Sequence, residues 1–293
     1  MSVANNQQEN YMVGVVREKT DEIVSLLENT GYYLINEQCK RAYEVYKKDD
    51  GSMLTTLDLA SDLIIKDGLK SLFGDIPVLS EENDPEDNVK IAGQQHMFLL
   101  DPIDGTRSFN ASKEFTINLA FCVDGEPKIG FIHNPIKRVL LFGDESKSFR
   151  RSGGNTTKIL RFSKVDGLKF KRERRPFRVA CGHTFFNSIG IDKIAERISG
   201  LGYNFDKNNI VKFSAMEKLL SLIDNDCEAF VCAECCKDWD ILPAVPILKS
   251  IGGHFTANNP AVFNGGNFEQ GIFIAGKCQD FVDDLVEVFA YHS

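Results

Sequence analysis

Met97-Phe98-Leu99-Leu100-Asp101-Pro102-Ile103-Asp104-Gly105-Thr106 sets four apolar residues directly against a turn that carries two carboxylates. The run MFLL at 97–100 is unbroken, the pattern of a strand buried on both faces. Two acids three positions apart at the end of such a strand are close together and poorly solvated. Charges 4 Å apart repel by about 1 kcal/mol in water and by about 4 kcal/mol at an effective dielectric near 20. Such a pair shares a proton or holds a cation. Carboxylate and carbonyl oxygens are the ligands Mg2+ prefers, and the Ile103 carbonyl lies between the two acids. Gly105 lets a phosphate approach the backbone closely. A helix starting near Thr106 would turn free N–H groups and a positive dipole end towards an anion. On spacing alone, the same residues also read as an ordinary Pro-Gly turn.

Working outward, Thr116–Val123 and Lys128–His133 read as strands joined by the turn Asp124-Gly125, and Val139–Phe142 as another. Upstream, residues 12–47 carry Met12, Val15, Val16, Ile23, Leu26, Leu27, Leu34, Ala42 and Val45 at helical intervals. Gly31 interrupts them, which predicts two helices or one kinked helix. Leu57–Phe73 reads as a helix with Leu59, Leu63, Ile64, Leu69 and Leu72 on one face, followed by a short strand at 76–79. Downstream, strands at 177–181, 228–232 and 271–276 alternate with helices at 191–201, 216–223, 241–251 and 281–290. The expected division falls near 145–160. It leaves an α+β half at 1–150 with most of the acids, and an α/β half at 151–293.

The chain has 293 residues, 26% charged and 43% hydrophobic, with 34 basic against 42 acidic residues. That balance fits a globular protein, and the net charge of −8 argues against nucleic acid as a partner. No stretch approaches the ~18 apolar residues that span a bilayer. MSVANNQQEN has neither a basic residue nor an apolar core, so a cytoplasmic location without a membrane partner is expected. Charge is segregated. Residues 49–104 hold 13 acids and 3 bases, whereas residues 146–178 hold 12 bases and 2 acids. The basic run 171–175, KRERR, reads as an anion-steering surface or as a solubilising loop. Cys227, Cys232, Cys235 and Cys236 cluster, but with no second CxxC and no nearby histidine pair they read as small buried apolar residues rather than as a zinc site.

Acidic features recur outside the 101–106 turn: Asp58 after Thr55-Thr56-Leu57, Glu81-Glu82 after Val78-Leu79-Ser80, and Asp240 in Trp239-Asp240. Together, DPIDGT (101–106), WD (239–240) and EE (81–82) resemble the signature of the inositol monophosphatase family, whose members are Mg2+-dependent, lithium-sensitive phosphomonoesterases. The resemblance runs from about Lys47 to Gly276. Within the family, DGLKSLFGDIPVLSEEND (67–84) and KEFTINLAF (113–121) are similar to bacterial 3′(2′),5′-bisphosphate nucleotidases that support sulfur assimilation. CCKDWDILPAVPILKSIGG (235–253) is similar to the eukaryotic nucleotidases.

The resemblance implies a layered αβαβα sandwich of the inositol monophosphatase and fructose-1,6-bisphosphatase type, with the active site between its halves. It implies two or three Mg2+ ions held by Glu81, Asp101, the carbonyl of Ile103, Asp104 and Asp240. It places Asp58 and Thr106 as the pair that orients the attacking water, and with Glu81 as the catalytic set. It gives Gly105 and Thr106 as the phosphate cradle. The implied substrate is a small anionic phosphomonoester, adenosine 3′,5′-bisphosphate converted to AMP, with an inositol-phosphate phosphatase as the alternative. A weakly catalytic metal-binding protein on the same fold is the third reading, and a homodimer is compatible with the family. Paired cations suit this chemistry, because uncatalysed monoester hydrolysis needs up to ~10²¹-fold acceleration and a general base supplies only about 10²–10⁴.

Lys218 and Lys237 are the candidates for a second phosphate. Ser214, Asp240 and His183 are further candidate substrate contacts. His183 stands where bacterial relatives carry a Ser-Arg-Ser-His stretch, and the arginine and serines are absent here. Arg107 stands where nucleotidases commonly carry lysine. Pro243 falls in the first turn of the expected 241–251 helix, where proline is tolerated.

Overall fold

The computed structural model describes residues 3–48, 51–111, 114–182, 190–213, 216–256 and 269–290, with the side chains of residues 3–10, 233–235, 269–271 and 290 left aside. The chain opens with helices α1 (Val3–Glu18) and α2 (Thr20–Lys40). A short antiparallel hairpin follows, β1 (Val45–Lys47) with β2 (Met53–Thr55), and then helix α3 (Thr56–Phe73). Strand β3 (Val78–Ser80), helix α4 (Pro85–Ala92), strand β4 (His96–Asp104) and the short helix α5 (Thr106–Asn110) carry the chain through the acidic segment. Strands β5 (Thr116–Val123), β6 (Glu126–Asn134), β7 (Val139–Asp144), β8 (Ser148–Ser152) and β9 (Asn155–Lys158) then run as consecutive hairpins. They complete a seven-stranded sheet in the order β3-β4-β5-β6-β7-β8-β9, parallel only between β3 and β4.

Beyond helix α6 (Gly167–Arg172) comes a second sheet, built from β10 (Val179–Cys181), β11 (Ile210–Lys212), β12 (Ala229–Lys237), β13 (His254–Phe255) and β14 (Glu269–Gly276). Its order is β11-β10-β12-β14-β13. Helices α7 (Ile191–Gly200), α8 (Glu217–Ile223), α9 (Asp238–Ile241), α10 (Ala244–Ile251) and α11 (Gln279–Ala290) complete the chain.

Five layers result, and the side-chain alternation of the strands accounts for them. On β4, Phe98 and Leu100 face a core shared with α1, α2 and α3. Met97 and Leu99 face the opposite way, towards Trp239, Leu242 and Val245 of the α9–α10 region. A strand with period-two side chains buries both sets only if both faces are covered, as MFLL requires. The middle helices α8 and α10 also pack on the second sheet through Ala180, Phe230 and Ala275. The outer face of that sheet, with Val179, Ala229, Val231 and Ile274, is covered by α6, α7 and α11. The order is therefore αβαβα, as expected.

Several local expectations change. The helix break lies at Lys19, not Gly31, and Gly31 sits inside α2. The glycine is there for room, since a Cβ would come within 2.6 Å of His133 Nε2 and 2.8 Å of Pro135 Cγ. Val45 lies in a strand rather than a helix. On α3 the expected apolar face is partly outward, with Leu59, Leu63 and Ile64 exposed. Its buried face includes Asp58, Ser61 and Asp62 beside Leu57, Ile65 and Leu69. The expected 241–251 helix is divided at Leu242-Pro243 into α9 and α10.

His133 is buried on β6, and its Nδ1–H donates to the Val139 carbonyl at 3.2 Å. Burial pushes its pKa down to about 4. Because the unfolded chain takes up this proton near pH 6.5, stability is fully present above that pH and falls as the pH drops towards 4. The span corresponds to about 3 kcal/mol. Urea midpoints of the parent and His133→Gln, measured from pH 7.5 to 4, are expected to converge on acidification; parallel profiles would refute this account of the histidine.

Candidate active site

Three segments bring acids to the junction between the first sheet and the α9 region. The end of β4 supplies Asp101 and Asp104, the residue after β3 supplies Glu81, and α9 supplies Asp240. One carboxylate oxygen from each of Glu81, Asp101 and Asp240 lies within 4.8 Å of the others. Each is positioned locally. The Glu81 N–H donates to the Leu100 carbonyl at 3.2 Å. Asp101 Oδ1 accepts the Ile103 N–H at 3.1 Å. Asp240 Oδ2 accepts the Lys237 N–H at 2.8 Å, and the buried Trp239 ring anchors its helix on Leu79, Leu99 and Ala120. Asp104 Oδ2 accepts from Asn118 Nδ2 at 2.9 Å and from the Thr116 hydroxyl at 3.2 Å.

Asp58 is the third residue of α3 and closes a capping box with Thr55. Its Oδ2 accepts the Thr55 N–H at 2.7 Å, while Thr55 Oγ1 accepts the Asp58 N–H at 3.3 Å. Its other oxygen is therefore available to Thr106, whose hydroxyl stands 3.1 Å from Asp58 Oδ1 and 3.2 Å from the Ile103 carbonyl. Gly105 joins β4 to α5 at φ +90°, a conformation glycine adopts without strain.

The electrostatics are dominated by burial. It raises the pKa of Asp58, Glu81 and Asp104. It raises Asp101 and Asp240 well above the carboxylate range, with repulsion from neighbouring acids adding to the shift. Glu82 is pushed up to about 7 by burial and by Glu81. Lys48 answers part of this charge, with Nζ 3.2 Å from Glu81 and 3.1 Å from Glu82. Lys218 answers another part. It is buried, and although burial works against its charge, attraction from Cys232, Asp104, Cys236 and Asp240 outweighs that and raises its pKa.

The cavity over these acids is about 330 Å³. Glu81, Asp101, Ile103, Asp104, Gly105, Thr106 and Asp240 line it, so the expected metal ligands and cradle share one pocket. Asp58 lies behind Thr106. Lys218 and Lys237 are not among the lining residues, whereas Arg107 is. His183 and Ser214 lie outside the described residues. Sequence reasoning missed Lys48, Ser52, Met53 and Phe213. Lys48 carries no motif, and only its place just before the Asp-Gly turn at 50–51 hinted at a loop close to the acids.

The donor set fits a small hard cation. Oxygen ligands are those Mg2+ prefers, one carboxylate oxygen from each of three acids lies within 4.8 Å of the others, and buried acids held above their usual pKa gain most from a cation.

Residues 17–277 match the inositol monophosphatase family. The chain belongs to that family. The 3′(2′),5′-bisphosphate nucleotidase CysQ of Salmonella typhimurium is 38% identical over 112 residues, 38% of this chain and 45% of that protein. The chain thus spans about half the length of such curated relatives. The 3′(2′),5′-bisphosphate nucleotidase CysQ of Aggregatibacter actinomycetemcomitans is 24% identical over 273 residues, 90% of this chain and 95% of its own length. A solved structure, the Thermotoga maritima IMPase, superposes with a TM-score of 0.70 at 22% identity and covers 94% of this chain and 97% of that one. The layered sandwich is therefore the inositol monophosphatase family fold. Among the described residues no helix is long and apolar enough to cross a membrane.

Proposed function

We propose that this protein is a Mg2+-dependent phosphomonoesterase that removes the 3′-phosphate of adenosine 3′,5′-bisphosphate to give AMP and phosphate. The observation that carries the phosphatase reading is the convergence of Glu81, Asp101 and Asp240 within 4.8 Å beside the Asp58–Thr106 pair. The nucleotidase relatives carry the choice of substrate. Inositol phosphates are the alternative substrates.

Glu81, Asp101, the Ile103 carbonyl, Asp104 and Asp240 would hold two or three Mg2+ ions. When bound, Mg2+ supplies Lewis acidity, which makes water a better nucleophile and stabilises charge on phosphoryl and leaving oxygens. The chain supplies orientation. Asp58 accepts the Thr106 proton, which leaves a Thr106 lone pair to receive a proton from the attacking water and fix its direction. Gly105 and Thr106 cradle the phosphate. Arg107 places positive charge at the rim, where a second phosphate would lie. His183, Ser214 and Lys237 remain the proposed contacts for the rest of the substrate, and buried Lys218 would act through the site acids.

The test is Mg2+-dependent phosphate release from adenosine 3′,5′-bisphosphate and from inositol 1-phosphate at equal concentration. Faster release from the nucleotide, inhibited by lithium, is expected. Release from neither substrate would refute the assignment, and preference for the inositol ester would move it to the alternative.

A further inference from the structure

We propose that a second cavity, at the start of strand β12, binds a small phosphate-bearing anion. It measures about 340 Å³ and shares no lining residue with the catalytic cavity. Its walls come from the 162–166 segment, α6, the first turns of α11, and residues flanking β12 and β14. Asp240 lies beyond the far end of β12. Nine residues at about 3.3 Å each put roughly 25–30 Å between the two ends of that strand.

Four cationic side chains line this cavity: Lys164, Lys169, Arg175 and Lys277. The three carboxylates on the same walls are already engaged. Asp166 caps α6, its Oδ1 accepting the Lys169 N–H at 2.8 Å. Glu173 lies 3.7 Å from Lys169 Nζ. Glu228 is held by Arg178, which donates from Nη2 to Oε1 at 2.7 Å and from both its backbone N–H (2.7 Å) and Nε (3.2 Å) to Oε2. Lys277 Nζ therefore reaches Glu228 only at 3.8 Å and shares that charge with Arg178. Among the described residues, the lining itself sets four cations against three carboxylates, a surplus of one positive charge.

Lys277 bears most of the cost of this arrangement. Its side chain is 9% exposed. Burial lowers its pKa, Glu228 offsets that in part, and Arg178 and Arg175 push it further down. Arg175 is held in place by stacking on Phe170, 4.8 Å from the ring centroid. Ammonium and guanidinium groups lining one concave site match the oxygens of a phosphate dianion. The volume suits a small ligand rather than a polymer. The basic stretch 146–178, which the catalytic reading leaves without a role, supplies most of these cations and would draw anions towards the opening.

Equilibrium dialysis of inorganic phosphate against the full chain in EDTA tests this, because without divalent cations the catalytic acids repel phosphate. One phosphate per chain is expected to bind. Affinity should fall about tenfold in Lys277→Gln and in the Lys164→Gln/Arg175→Gln double variant, and return in Lys277→Arg. Lys164 and Arg175 are exposed, so the double variant reports even if Lys277→Gln fails to fold. Mg2+-dependent turnover at saturating substrate should stay at the parent level in the double variant. No binding at millimolar phosphate, or binding unchanged in the double variant, would overturn the proposal.

Discussion

Asp101→Asn is expected to release phosphate about a thousandfold more slowly than the parent chain, yet to melt at the same or a higher temperature when no divalent cation is present. The rate loss follows from the several kcal/mol of transition-state stabilisation that such cations supply, each 1.36 kcal/mol being tenfold. The stability gain follows from burial. Asp101 is fully enclosed, and Glu81, Asp104 and Asp240 repel its charge, so its pKa is raised well above that of an exposed aspartate. A carboxylate whose folded pKa exceeds its unfolded value destabilises the ionised folded state, and that penalty is relieved as the pH falls through the raised pKa. Asparagine removes the penalty at neutral pH. Melting curves with EDTA and with Mg2+ check both halves. The parent should gain stability from Mg2+, more at pH 8 than at pH 5.5 because protons compete for the same oxygens, and Asp101→Asn should gain little. Near-normal turnover in the variant would be fatal to the proposed site.

A far larger stability change is expected from one added methyl group at Gly130. This residue lies on β6 under the junction of α9 and α10, and a Cβ there would fall 1.9 Å from the Pro243 carbonyl oxygen and 3.0 Å from its carbon. Overpacking typically costs about 1–3 kcal/mol when side chains can rotate away. Here the obstacle is backbone, and moving it displaces Leu242 and Val245 from their contacts with Leu99 and Ala120. Gly130→Ala should therefore lose about 3 kcal/mol or more, a fall in Tm of roughly 5–10 °C. Pro243 is three residues past Asp240, so turnover should suffer even below the melting transition. Gly14→Ala, whose Cβ meets nothing within 4 Å, is the control and should be neutral or slightly stabilising. A Gly130→Ala protein that melts with the parent would show that the α9–α10 junction is more yielding than its packing indicates.

The parts of the molecule that could be read from sequence share a physical cause. MFLL at 97–100 announces a strand because all four residues are apolar and both faces are covered. The site acids stand out because carboxylates beside apolar strands demand an explanation. The hairpin β8–β9 escaped because it is a basic and mostly exposed extension of the sheet edge, with no apolar alternation to mark it. Helix α3 keeps Leu69 and Leu72 on the core but turns Leu59, Leu63 and Ile64 outward, for the opposite reason. Its inward side carries Asp58, Ser61 and Asp62, satisfied by Thr55, Thr106, the Pro102 carbonyl and Ser80, and helical periodicity counts only apolar residues. Gly31 looked like a helix breaker because a sequence does not display the His133 ring that needs the space. Lys48 and Phe213 join the pocket region from loops that no residue type foretells.

Asp240 reaches the pocket from a segment that follows most of the second sheet, 136 residues after Asp104. At synthesis rates of roughly 5–20 residues per second, the ribosome delivers the carboxylates of the first sheet roughly 7–27 s before their last companion. Throughout that interval the nascent chain holds an unfinished cluster of like charges, with the Trp239 anchor still to come. Recovery of turnover after refolding would therefore time the docking of the two sheets rather than the formation of either one.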